Sequence, residues 1–175
     1  TYDAILNLQT NKDPLNRITT FSYKPDNNIE TITNPKNEVV TYGYDSAANL
    51  ASITDGRNKV TTYQNGSLNE LKNLTSPDTS GSTYTYLPNG FVHTFTRANG
   101  VVTTNTYDAM DRLIKVMTSG GGFSSQIIDY TYGYSATDCP NGIGRLCKVQ
   151  DSSGSTSFEY TVLGQVAKKT AVING

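Results

Sequence analysis

The sequence predicts an all-β protein with almost no helix, and three observations carry that prediction. Short runs rich in Thr, Tyr, Val and Ile recur along all 175 residues, and these side chains suit a pleated, half-buried surface. Between the runs stand Asp, Asn, Gly and Pro, which supply turn conformations. The run–turn–run unit repeats about every twenty residues, and self-similarity at a fixed period is the mark of a repeat architecture. A single hairpin is marginal in water, so each unit must pair with its neighbours.

The clearest unit spans residues 41–63. A strand ending at Tyr44 leads into the turn Asp45-Ser46-Ala47-Ala48-Asn49, a second strand Leu50-Ala51-Ser52-Ile53-Thr54, and a second turn Asp55-Gly56-Arg57-Asn58-Lys59. Placing a Tyr at the end of each first strand aligns Tyr2, Tyr23, Tyr44, Tyr63, Tyr86, Tyr107, Tyr134 and Tyr160, with steps of 21, 21, 19, 23, 21, 27 and 26. An aliphatic follows six residues later at Leu8, Ile29, Leu50, Val92, Leu113 and Val166. The copy at Tyr63 is one residue short, at Leu68, and the copy at Tyr134 carries an insertion before Leu146. A further apolar residue stands nine after the Tyr at Ile32, Ile53, Phe95 and Val116. Leu50 and Ile53 are therefore three apart, which strict alternation would send to opposite faces. Either a bulge intervenes or both faces are partly buried.

In chain order, residues 1–15 supply the back half of one unit, and Ile18 to Tyr23 alternates as a strand. Asn34-Pro35-Lys36-Asn37 is a polar turn before the strand that starts at Val39. Residues 66–74 are compatible with helix for a few positions, but neither cap nor length supports one. Residues 76–82 read as a loop. Strands are expected over residues 83–86, 91–96 and 101–107, with Asn89-Gly90 and Asn99-Gly100 as hairpin turns. Ser119-Gly120-Gly121-Gly122 reads as a long, flexible turn, and residues 127–134 as the longest strand.

Tyr2-Asp3, Tyr44-Asp45, Tyr107-Asp108 with Asp111-Arg112-Leu113, and Gly144-Arg145-Leu146 together resemble the YD repeat, Y-D-x-x-G-R-L followed by a short strand and a polar turn. That repeat is found in Rhs proteins, the C component of Tc toxins, wall-associated bacterial toxins and teneurins. The resemblance covers essentially the whole chain, although Asp follows Tyr in only three copies and Gly-Arg-Leu is intact once. It implies one array of about eight partial repeats over residues 1–175, a fragment of a longer array or one unit of an assembly. The implied fold is a spiralling antiparallel sheet, solenoid- or shell-like.

Composition fits exported or surface material rather than a cytosolic enzyme: 35% hydrophobic residues, mean hydropathy −0.45, and twelve Tyr beside no Trp. A net charge of −1 gives no electrostatic footprint for nucleic acid. No apolar run approaches the roughly 20 residues that span a bilayer. The expected location is secreted or at the cell surface, with any targeting signal upstream of Thr1.

The search for chemistry returns no catalytic residue, cofactor site or metal site. His93, the only histidine, alternates with apolar residues in Phe91-Val92-His93-Thr94-Phe95 and reads as a strand residue on a polar face. Asp108 and Asp111 are spaced as a carboxylate pair, but Asp108 fits better as the turn-initiating residue. Residues 141–144 hold only G-x-G with no helix after it, so a phosphate loop is not indicated. The sequons at Asn65 and Asn73 read as chance in an Asn/Thr-rich chain.

Cys139 and Cys147 flank a segment that must reverse direction, where the resemblance places a hairpin turn. Two readings stay open: a disulfide across the hairpin, favoured outside the cell, or two small apolar residues in a core.

Two function classes follow from the resemblance. One is a non-enzymatic wall segment of a shell that encloses and delivers a C-terminal toxin domain. The other is a secreted adhesin or self-assembling fibre subunit contacting surface glycan or protein. In both, the partners are flanking repeats or further copies meeting at open strand edges. A clearly polar sheet face favours the wall, and Tyr and Leu on both faces favour a stacked fibre.

Overall fold

A computed structural model describes residues 1–135 and 139–174. Among them are fifteen β-strands and no helix, in one antiparallel sheet whose strand order is the chain order. The chain divides into two compact units, Thr1–Thr83 and Tyr84–Gly175.

The first unit contains β1 (Thr10–Lys12), β2 (Ile18–Tyr23), β3 (Ile29–Thr33), β4 (Val39–Tyr44), β5 (Leu50–Thr54), β6 (Val60–Asn65) and β7 (Leu71–Ser76). The division falls within β8 (Ser80–Tyr86). The second unit continues with β9 (Val92–Thr96), β10 (Val101–Tyr107), β11 (Leu113–Gly120), β12 (Phe123–Tyr132), β13 (Leu146–Asp151), β14 (Gly154–Tyr160) and β15 (Val166–Ile173).

Each unit is a meander in which one kind of five-residue turn recurs. At Asp45 the backbone N–H accepts no role in the ladder but donates to Asn49 O (2.9 Å), while Ala48 N–H donates to Asp45 O (3.0 Å). The Asp45 carboxylate Oδ1 accepts the N–H groups of Ala47 and Asn49, both at 2.9 Å. Asp3, Asp13, Asp55 and Asp108 repeat this double acceptance, and Asn34 does so with its amide oxygen. Such short side chains satisfy turn N–H groups that no strand can reach. The fourth turn residue is left-handed, and Asn fills it at Asn16, Asn27, Asn37, Asn58 and Asn69 while Gly fills it at Gly90, Gly100 and Gly164. Both types enter positive φ at low cost.

The spacing of three between Leu50 and Ile53 is explained by a bulge. Tyr44 pairs with Leu50 and Gly43 with Ser52, so Ala51 is the extra residue and Leu50 and Ile53 return to one face. The register shifts in the same way at Tyr23, Tyr107 and Tyr160, opposite Ile29, Leu113 and Val166.

Register also gives each unit two unlike faces. In the first, Phe21, Ile32 and Val40 are cross-strand partners, as are Tyr42 with Ile53 and Tyr63 with Leu74. The opposite face carries Ser22, Thr31, Thr41 and Thr54 in one row and Ser52, Thr62 and Thr75 in another. In the second, Tyr130 and Val149 are partners on one face; on the other, Thr131, Lys148, Ser157 and Thr170 form a row, and the apolar partners Met117 and Ile127 share that face. Burial is thin, as a single layer requires. Among the described residues the buried apolar side chains are Val101, Cys139 and Cys147.

Three local expectations change. Residues 119–122 do not form a long turn: Ser119 and Gly120 belong to β11, and Gly121 and Gly122 (φ 63° and 80°) make a two-residue hairpin turn. The loop expected over residues 76–82 shrinks to residues 77–79, because Ser76 pairs with Ser80. The longest strand is β12, which starts at Phe123 and stops at Tyr132, short of Tyr134.

Candidate functional site: the tyrosine ladder and the disulfide loop

The bulges place one side chain per hairpin where it reaches back to the adjacent strand of the preceding hairpin. The Tyr23 hydroxyl donates to Leu8 O (3.0 Å), Tyr44 to Ile29 O (2.8 Å), Tyr107 to Val92 O (3.1 Å) and Tyr160 to Leu146 O (2.6 Å). Each acceptor is the first residue of a second strand or its equivalent, where the bulge leaves a carbonyl outside the ladder. Each hydroxyl therefore bonds a carbonyl at the start of the adjacent second strand of the preceding hairpin, which links neighbouring hairpins along each unit.

Two of the aligned tyrosines hold other positions. Tyr63 pairs with Leu74 on the apolar face, and the bulge position of that hairpin belongs to Asn65, which pairs with Leu71 and donates its amide to Leu50 O at 3.1 Å. Leu68, aligned as the aliphatic of that copy, is an exposed turn residue, and Leu71 takes its place. Tyr132, not Tyr134, stands at the bulge opposite Leu146. Tyr2 bridges Leu8 in an isolated antiparallel pair and is exposed. Tyr86 ends β8 fifteen residues after Leu71, the separation of Tyr44 from Ile29. Asn65 lies 21 residues from both Tyr44 and Tyr86, a spacing that agrees with the bulge position the cross-strand register gives it. Aligning on tyrosine identity hides it.

A second column of contacts runs on the ring faces. Phe91 packs on Tyr107 with centroids 5.1 Å apart, the Arg112 guanidinium lies 4.4 Å from the Tyr132 ring centre, and that of Arg145 lies 5.5 Å from Tyr160. All three precede the aliphatic that opens a second strand, so this position covers the Tyr of the next hairpin.

Arg112 has the densest surroundings. Its Nε donates to Asp108 Oδ2 at 2.7 Å, both side chains are largely buried, and the Tyr134 hydroxyl donates to the same oxygen at 3.3 Å. Burial opposes ionisation of Asp108, but the Arg112 side chain and the N–H groups of Arg112 and Met110 outweigh it and hold the carboxyl down at about 2. Asp108 is thus the turn-initiating residue, and Asp111 sits in the left-handed position (φ 61°) accepting the Asn89 amide at 2.8 Å. The arrangement is a structural ion pair closed over by aromatic rings.

Cys139 and Cys147 are joined in a disulfide, with Cα atoms 5.9 Å apart. The loop they close is tied to its surroundings by Gly133 N–H to Arg145 O (3.0 Å), Gly144 N–H to Gly133 O (2.8 Å) and Tyr160 N–H to Pro140 O (3.0 Å). Gly142 has no room for a side chain, since a Cβ would meet Cys139 Sγ, and one at Gly133 would meet the Gly142 carbonyl. His93 is an exposed residue of β9. Among the described residues no group of three or more His, Cys, Asp or Glu is placed to hold a metal.

No family model and no curated protein matches this sequence. Solved structures do match in fold. The Tc holotoxin pore of Photorhabdus luminescens aligns with a TM-score of 0.78 at 19% identity, over 93% of this chain and 9% of that one. A TcdB2–TccC3 structure without its hypervariable C-terminal region gives 0.73 at 18%, over 98% of this chain and 10% of that one. Another TcdB2–TccC3 structure gives 0.51 at 13%, over 90% of this chain and 11% of that one. This chain therefore spans about a tenth of the structures it matches, and what it shares with these Tc toxin components is an all-β hairpin-repeat fold.

Proposed function

We propose that this chain is a non-enzymatic structural module, one array of YD-type repeats forming a wall segment of a secreted shell that encloses a toxin domain for delivery. The observation that carries the reading is the division of the first unit into a Thr/Ser face and an aromatic–aliphatic face, held together hairpin to hairpin by the ladder. A wall with contents needs two unlike faces and continuity, and it needs no reacting group. The fold shared with Tc toxin components supports the same reading. Flanking repeats are the natural partners, through strand edges.

A second reading is a secreted fibre or adhesin subunit, in which the strand pairing with β15 opposite β14 comes from another copy of the chain rather than from flanking repeats.

Denaturing mass spectrometry on protein from its natural source separates the two. The shell predicts a polypeptide far above 19.0 kDa with a cleaved fragment that stays bound under native conditions. A mass near 19.0 kDa in particles that pellet as polymers would overturn the shell and support the fibre.

A further inference from the structure

One residue of β15 breaks a column that the other second strands keep. Three residues after the residue that opens each of them stand Ile32, Ile53, Leu74, Phe95, Val116 and Val149, all half-buried. In β15 the same place, three after Val166, holds Lys169. Its partner on β14 is Phe158, just as Phe21 is the partner of Ile32 and Tyr42 of Ile53. Lys169 therefore stands on the aromatic–aliphatic face. The neighbouring Lys168 pairs with Glu159 instead, its Nζ 3.2 Å from that carboxylate. Among the described residues Lys169 has no ion-pair partner.

The strand that follows such a column position has a fixed register. Ile32 pairs with Val40, Ile53 with Thr61, Phe95 with Thr103 and Val149 with Thr156. In each case the ladder donor stands four residues further on, at Tyr44, Asn65, Tyr107 and Tyr160. A strand set against β15 in this register places its equivalent residue directly beside Lys169 and covers the ammonium, as the earlier strands cover the apolar column. An ammonium taken out of water beside Phe158 needs a counter-charge, and opposite charges on facing strand positions attract. Val166 in turn stands where Ile29, Leu50, Val92 and Leu146 offer their carbonyls to the ladder.

We infer that the strand pairing with β15 on the side away from β14 carries an Asp or Glu opposite Lys169, four residues before a Tyr or Asn that bonds Val166 O. No ladder strand of this chain has a carboxylate at that place: the residues there are Thr19, Val40, Thr61, Ser82, Thr103, Ile128 and Thr156. The occupant is therefore a repeat strand of a different sequence and not a second copy of this chain. The inference rests on the strand-edge partners of the proposed function and names the residue that selects among them.

The test uses three peptides with blocked ends: the β10 sequence Val101–Tyr107, which holds no charge, and its Thr103→Glu and Thr103→Lys forms. Each is titrated into the 175-residue protein, with fluorescence anisotropy reading affinity and amide hydrogen exchange reading protection of β15. The Thr103→Glu peptide is expected to bind about threefold more tightly than the unaltered one, and the Thr103→Lys peptide most weakly, with exchange slowed along β15. Lys169→Glu in the protein changes an exposed side chain with no ion pair to lose, so it should keep the circular dichroism spectrum and invert the order of the two charged peptides. Equal binding of the uncharged and Thr103→Glu peptides would overturn the inference and leave a second copy as the better occupant. An order that Lys169→Glu leaves unchanged would overturn it too. So would failure of all three to bind at about 1 mM, which would make Lys169 a guard against edge pairing. None of these results bears on the mass of the native polypeptide, which separates wall from fibre.

Discussion

Two tyrosines of the same strand pattern have unequal duties, and this is the residue-scale claim most easily checked. Tyr44 donates its hydroxyl to Ile29 O at 2.8 Å in a half-buried site, whereas the Tyr63 hydroxyl has no such acceptor and its ring simply packs beside Leu74. Tyr44→Phe is expected to lower stability by about 1 kcal/mol, because the Ile29 carbonyl loses its partner. Tyr63→Phe should change little. Urea denaturation of the two variants decides it, and equal losses would mean the hydroxyl bond is not what links the hairpins. The turn carboxylates act at the same scale. The N–H of Asn49 is the main reason Asp45 ionises more readily than an ordinary carboxyl, and the N–H of Lys59 does the same at Asp55.

At the scale of elements, the region between β12 and β13 departs most from the repeat, and the disulfide replaces what the repeat would supply. The hairpin at Tyr44 closes with the five-residue turn 45–49, but here Tyr132 and Leu146 are register partners far apart in sequence. Cys139 and Cys147, eight residues apart, hold the insertion so that Gly133 and Ile143 bridge in parallel. Replacing both cysteines with Ser, or adding reductant, is expected to cost about 2.5 kcal/mol on the chain-entropy estimate for so short a loop. An unchanged urea midpoint with and without reductant would show that the backbone bonds alone hold the insertion. The cysteines were visible in the sequence as a candidate pair. What closed the question was the backbone path, which brings their Cα atoms to 5.9 Å and buries both side chains.

At the scale of the molecule, each described strand hydrogen-bonds with its neighbours in chain order, so stability should be close to a sum of hairpins and the links between them. Deleting residues 45–65 removes one 21-residue step and joins Tyr44 to Gly66 in the register that Asn65 now holds. The shortened chain is expected to keep its β circular dichroism per residue and a cooperative melt, with a lower midpoint. Loss of folded structure would mean the array depends on contacts between distant repeats.

The sequence by itself determined the all-β class, the hairpin repeat and most of the turns, because each is a local matter. Asp45 and Asp55 bond N–H groups two and four residues on, and Asn or Gly accepts the left-handed position wherever it falls. Only the tertiary structure decided which residues occupy the ladder. Asn65 and Tyr132 stand at bulges, and Tyr63 and Tyr134 do not, since that position depends on cross-strand register rather than on residue type. It also chose the bulge over two-sided burial for Leu50 and Ile53. Register is set by how two strands pair, and an amide can do at Leu50 O what a phenol does at Ile29 O. A count of tyrosines cannot see that substitution.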